Sequence, residues 1–230
     1  MTGNSAVGPT VGLGALHLFG KVTGRAVERQ PIVDAVEAVR KDGGIVVPVA
    51  LLGHKGDLAL MALHRDFLTL RRLQTAVVGA GVELVDSYLS LTEVSEYADG
   101  LPENMKQARL HPKKLPPGDK RAWCFYPMSK RRNVGANWFR LPFDERKALM
   151  AEHGQSGRAF AGRILQLITG STGLDDFEWG VTLFADHPDD LKEVVYTLRY
   201  DEASALYGEF GTFYTGICGE VDEVLAELGA

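Results

Sequence analysis

Apolar residues in this chain come in short packets, and their spacing alternates between that of a strand and that of a helix. Residues 15–19 form an apolar run that reads as a strand. Ile32, Val33, Val36 and Val39 recur at helical spacing across 32–40, and Gly43-Gly44 ends that helix, a common role for glycine. The β-branched run 45–52, a turn at 53–56 and the run 58–63 predict two strands. A helix over 67–77 and a strand over 82–91 complete the order βαββαβ.

Residues 99–120 are polar, basic and proline-bearing, as in a linker or long loop. The order then repeats. The predicted elements are a strand at 122–126, a helix over 144–160 that opens on acidic residues, and a strand at 164–169. After a turn at 170–176, a strand at 177–184 alternates Phe177, Trp179, Val181 and Leu183 on one face. A helix over 191–198 and a strand at 212–215 follow. Two βαββαβ units are ferredoxin-like halves of an α+β fold. They either stand as separate domains or close into one dimeric α+β barrel. About 100 residues give each half a modest core alone, which favours the barrel. The expected organisation is a flexible tail at 1–14, a first half at 15–98, a linker at 99–120 and a second half at 121–230.

Composition narrows the class. A hydrophobic share of 45% with 24% charged residues is ordinary for a soluble globular protein. A net charge of -5 weighs against broad nucleic-acid binding. No apolar run reaches the ~18 residues of a membrane span. The start, MTGNSAVGPTVG, lacks a signal peptide's basic and apolar regions. Cys124 and Cys218 make neither a disulfide framework nor a zinc spacing. A cytoplasmic protein with reduced thiols is expected.

The residues with chemistry gather in the second half. Tyr126 ends a strand just before Pro127, and Met128, Lys130, Arg131 and Arg132 follow. His153 lies on a predicted helix whose apolar stripe includes Leu149 and Phe160. Gly154 and Gly157 weaken that helix by ~1 kcal/mol each relative to alanine. They suit either close helix–sheet packing or the approach of something flat. Gln166 shares a strand face with Ile164 and Ile168 and reads as a buried amide, bonded to a ligand or to backbone. A tyrosine, a histidine and cations for carboxylates are what a haem-type site uses. Gly12-Leu13-Gly14 and Gly208–Gly211 are not phosphate loops, and the other histidines lack metal-ligand spacing.

Ordered motifs then point to a family. They are Gly53-His54-Lys55, Cys124-Phe125-Tyr126-Pro127-Met128-Ser129-Lys130, Asn137-Trp138-Phe139, Glu152-His153-Gly154 and Gly157-Arg158. Further along come Gly170-Ser171-Thr172-Gly173-Leu174-Asp175-Asp176, Glu178-Trp179, Leu198-Arg199-Tyr200-Asp201-Glu202 and Tyr207-Gly208-Glu209-Phe210-Gly211. From about residue 53 to 216 the chain resembles the chlorite dismutase–like superfamily. Within it, the chain resembles the peroxide-dependent coproheme decarboxylases of the Firmicutes type.

The resemblance implies a barrel of two ferredoxin-like halves, usually homopentameric. It implies Fe-coproporphyrin III (coproheme) as both substrate and redox cofactor, hydrogen peroxide as oxidant, haem b as product, and a ferrochelatase contact. It casts His153 as iron ligand, Tyr126 as the radical-forming tyrosine and Lys130 as its neighbour beside a reactive propionate. Gln166 becomes the distal residue, and Met128 lines the pocket. Arg109, Arg199 and Ser204 hold propionates, and Glu209 hydrogen-bonds His153. Chlorite dismutases carry an arginine where Gln166 stands. The spacing from Tyr126 to Trp138 is twelve residues, as in the Firmicutes type, although His111 lies near the place where a related type puts its distal base. The competing classes are a chlorite-decomposing haem enzyme, a haem or coproheme carrier or sensor, and a barrel that binds some other small ligand.

Overall fold

The structure is a computed structural model that describes residues 6–22, 27–98 and 100–229. The first half runs β1 (Gly14–Lys21), α1 (Arg29–Lys41), β2 (Ile45–Leu51), β3 (Leu58–His64), α2 (Phe67–Gly79) and β4 (Glu83–Thr92). In α1, Ile32, Val36 and Val39 are buried, and Arg40 and Lys41 sit in the last turn, where the helix dipole favours cations. In α2, Asp66 caps the start by accepting the Leu68 N–H, and Leu70, Leu73 and Val77 turn inward. These helices press on the outward face of β1–β3, where Leu16, Leu18, Val46, Leu58 and Leu60 are buried.

Helix α3 (Glu103–Leu110) follows, then β5 (Ala122–Lys130), a β6–β7 hairpin (Arg132–Asn133, Ala136–Asn137), α4 (Phe143–Arg158), β8 (Ile164–Gly170) and β9 (Trp179–Ala185). The second half ends with α5 (Pro188–Leu198), α6 (Glu202–Tyr207), β10 (Gly208–Phe210), β11 (Tyr214–Cys218) and α7 (Val221–Glu227). The strand order is β10-β5-β11-β2-β3-β1-β4-β8-β9, and β5 also pairs with β9, so the sheet closes. The seams between halves are β4–β8 and β11–β2, both antiparallel. Each half therefore covers the other's edge strands, which alone would offer unpaired backbone. No helix among the described residues is long and apolar enough to cross a membrane.

The barrel is filled, not hollow. Phe19, Met61, Trp123, Phe125 and Phe184 meet inside it and are almost wholly buried. His17 is sealed among them, stacked 4.2 Å from the Phe125 ring and hydrogen-bonded through Nε2 to Thr182 Oγ1 at 3.1 Å. Burial pushes its pKa down to about 3.

Several expectations shift. The segment expected as a linker carries α3, an eight-residue helix with no buried side chain. Residues 1–5 of the expected tail lie outside the described residues, but Val7 is tied down: its carbonyl accepts from Phe67 N–H and its N–H donates to Asp66. The expected strand at 212–215 starts later and extends to Cys218, because β11 must reach across to β2.

Candidate functional site

The outward face of the second half is covered by protein only in part. Alternation along β5, β8 and β9 places Tyr126, Val181 and Ile168 in one row, and Cys124, Leu183 and Gln166 in the next. Helix α5 lies on the β5–β9 end of these rows, burying Leu191, Val194 and Leu198 with Tyr126 and Val181. Helix α4 instead packs on α5 and α6. None of its sixteen residues is buried. Ile168 is consequently 42% exposed, and Gln166 is exposed beside it. Alternation gives the correct face for Gln166 but the wrong burial, because α4 does not lie over β8.

The glycines of α4 separate the two readings offered for them. A Cβ on Gly157 would meet nothing within 4 Å, and one on Gly154 only the Arg158 guanidinium at 3.6 Å. Close helix–sheet packing does not require either glycine.

His153 stands on this helix with one nitrogen committed. Its Nδ1–H donates to Asp201 Oδ2 at 3.1 Å, and Ser204 Oγ lies 3.4 Å from the same nitrogen. Asp201 is the N-cap of α6, and its other oxygen accepts the Ser204 N–H at 3.0 Å. The Asp201 side chain is 1% exposed, so its carboxylate is fixed on the ring rather than hydrated. Nε2 has no hydrogen-bond partner among the described residues. A carboxylate that holds one ring nitrogen sets the tautomer and orientation that a metal-ligating imidazole needs. Glu209, expected in that role, lies on β10 opposite Ser129 and approaches Arg131 at 3.9 Å. Asp201 takes the place because it caps a short helix that α4 leans on. Its quoted motif was legible, but its contact spans 48 positions of sequence and was not.

Tyr126 is buried on β5 beside α5, its ring stacked 4.4 Å from Phe213 and tilted 5.8 Å from Phe210. Burial pushes its phenol well above the usual range, Cys124 adds to this, and Arg199 opposes it. The Arg199 guanidinium lies 4.0 Å from the Phe210 ring centre, and its charge acts on the Tyr126 phenol. Met128 is half-buried on the same face.

Lys130 turns elsewhere. Its ammonium donates to the Ala203 carbonyl at 2.9 Å and sits 4.5 Å from the Trp138 ring centre. Burial lowers its pKa to about 8, opposed by the fields of Asp201 and Glu178. Arg109 and His111 are exposed on and just after α3, and no hydrogen bond, ion pair or ring contact joins them to the His153 cluster. The structure thus gathers His153, Ser204 and, through the Ala203 carbonyl, Lys130 around α6, groups Tyr126, Met128 and Arg199 around Phe210, and leaves Gln166 exposed on β8 and Arg109 apart. Sequence reasoning passed over Trp138 and Glu178 as site neighbours.

Among the described residues no group of three or more His, Cys, Asp or Glu side chains comes together. A single imidazole beside an apolar strip therefore suits a metal that brings its own equatorial donors, as an iron porphyrin does.

The chlorite dismutase family model matches residues 27–219. A putative heme-binding protein of Natronomonas pharaonis is 43% identical over 198 residues, which cover 79% of this chain. That match spans only 32% of the Natronomonas protein, so this chain corresponds to about a third of it. The coproheme decarboxylase of Staphylococcus carnosus is 40% identical over 200 residues, covering 82% of this chain and 79% of that enzyme. Among solved structures, a heme-binding protein from Thermus thermophilus aligns over 96% of both chains, with TM-score 0.84 and 32% identity. Chlorite dismutase from Candidatus Nitrospira defluvii, in complex with imidazole, aligns over 96% of this chain and 97% of its own with TM-score 0.76 at 20% identity, a likeness of fold.

Proposed function

The chain belongs to the chlorite dismutase family, and we propose that it is a coproheme decarboxylase that converts Fe-coproporphyrin III to haem b with hydrogen peroxide. The observation that carries this reading is His153, its Nδ1 held by a buried Asp201, on a helix that leaves the β8 face to something flat. The likeness to the staphylococcal coproheme decarboxylase over most of both chains supports the substrate.

In this reading His153 Nε2 binds the porphyrin iron, which with peroxide supplies the oxidising equivalents. Ile168 and Gly157 leave room for the ring, and Gln166 stands across it. Tyr126 keeps its proton at neutral pH because burial disfavours the phenolate. It therefore reacts by losing an electron and a proton together. The phenoxyl takes a hydrogen atom from the β-carbon of a propionate held beside it. Loss of one more electron and of CO2 leaves a vinyl group. Each propionate and one peroxide thus give one vinyl, one CO2 and two waters. Arg199, whose charge acts on the phenol, holds the reacting carboxylate in this reading. Ser204 and the more distant Arg109 hold others. The same proposal includes a cytoplasmic homopentamer that meets a ferrochelatase.

The test is to load coproheme without oxygen, titrate with peroxide and follow the mass. Loss of two CO2 is expected, and no loss overturns the reading. Tyr126→Phe should bind coproheme with unchanged affinity and fail to convert it; retained conversion removes Tyr126 from the role.

A further inference from the structure

The chain between β10 and β11 sends two consecutive rings to opposite faces of the sheet. Phe213 packs outward with Tyr126, and Tyr214 packs inward, stacked 3.8 Å from Phe19. Residues 211–213 have no regular structure, and the Gly211 N–H, donating to the Pro127 carbonyl at 2.8 Å, ties their start. Their far end meets the first half of the molecule. Lys55 Nζ donates to the Phe213 carbonyl at 2.6 Å and lies 6.0 Å from the Tyr214 ring centre. Lys55 belongs to the turn between β2 and β3, and Gly53, with φ 95°, permits that turn. The turn is itself anchored: the Leu52 N–H donates to the Thr215 carbonyl at 2.9 Å, and the Asp57 N–H to the Gly20 carbonyl at 2.8 Å.

We infer that Lys55 is a positioning residue for Tyr126: from the first half it fixes the Phe213 carbonyl and so keeps the Phe213 ring stacked on the phenol that is oxidised. The stack is close, 4.4 Å between ring centres at an interplanar angle of 21°. Among the described residues no hydrogen bond holds the Tyr126 hydroxyl, so the rings around it orient it. A phenol that must take hydrogen from one carbon of a bound substrate needs one orientation, and a misplacement of about 1 Å can cost ~100-fold in rate. The lysine's charge also reaches this face of the sheet. Burial pushes the Cys124 thiol up to about 11, opposed by its hydrogen bond with Thr215 and then by Lys55. Cys124 is two residues from Tyr126 on β5 and shares its face. The Gly53-His54-Lys55 motif thereby joins the site from the opposite half.

This inference rests on the reading of Tyr126 as the oxidised residue, and the experiment separates the two. Lys55→Met keeps the stem and removes the donor. NMR of the porphyrin-free protein, labelled with carbon-13 in tyrosine and phenylalanine, reads the Tyr126–Phe213 ring contact directly, with the Tyr126 signals assigned through Tyr126→Phe. In Lys55→Met that nuclear Overhauser contact should weaken and the Tyr126 ring signals should shift. With coproheme loaded, affinity should stay unchanged, while conversion by peroxide should slow by about 10- to 100-fold. Lys55→Arg keeps a cationic donor and should restore both the ring contact and most of the rate. Phe213→Leu should slow conversion as Lys55→Met does, and the double variant should be no slower, because the two residues act through one contact. Loss of coproheme affinity with the ring contact intact would make Lys55 a carboxylate ligand and overturn the inference. A lower melting temperature with ring contact and rate unchanged would leave Lys55 a structural tie only and overturns it too. Lys55→Ala carries the same readouts if Lys55→Met does not fold. If Tyr126→Phe retains full conversion, the oxidised-tyrosine reading fails, and the NMR arm still decides whether Lys55 holds Phe213 on the ring.

Discussion

The two halves share one topology and treat their helices in opposite ways. In the first half, α1 and α2 bury Ile32, Val36, Leu70 and Leu73 against the sheet. In the second, α4 occupies the place of α1 in the βαββαβ order, yet buries nothing and leans on α5 and α6. Their histidines follow suit. His17 is sealed in the barrel as a neutral ring, while the side chain of His153 is 23% exposed and tied to a carboxylate. The lesson concerns stability as much as function: one half holds the barrel together, which frees a helix of the other to carry a ligand.

The contrast between the halves can be tested at several points. The largest effect concerns His17. Its folded pKa of about 3 lies below the 6.5 of an unfolded histidine, so only the unfolded chain takes up this proton between those values. Stability from this residue is complete above pH 6.5 and is lost as pH falls toward 3. At about 1.4 kcal/mol per pH unit that comes to roughly 5 kcal/mol. His17→Gln should flatten acid unfolding over that window when followed by circular dichroism; an unchanged slope would mean that His17 is hydrated. Next, Leu73→Ala on α2 should cost about 2–5 kcal/mol by urea denaturation, while Leu149→Ala, half-buried on α4, should cost only about 1 kcal/mol. Equal losses would remove the contrast between the halves. The smallest effect is the most pointed. Gly157→Ala has room for its methyl group and should stabilise the porphyrin-free protein by up to about 1 kcal/mol while weakening coproheme binding. Gain in both would place the porphyrin away from that turn of α4.

Much of the fold was legible. Periodicity located the strands of both halves because their faces differ sharply in polarity, and the 4-1-3-2 strand order of each half is what βαββαβ implies. Helix α3 was missed because it buries nothing, and α6 because six residues give too few turns for a periodic signal. Within the site, Tyr126 and His153 stood out by residue type and motif. The burial of Gln166, the partner of His153 and the direction of Lys130 did not. Each depends on where α4 and α6 settle relative to the sheet, and the local pattern carries no record of that.

The sequence by itself determined the two ferredoxin-like units and the residues available for chemistry, since alternation and helical spacing are local properties of the chain. Tertiary structure alone decided that Asp201 rather than Glu209 holds His153 and closed the two halves into one filled barrel, and it alone set the Lys130 ammonium on the Ala203 carbonyl of α6. Hydrogen bonds between buried groups form with whatever packing brings within about 3 Å, and here packing joined residues 48 and 73 positions apart in the sequence.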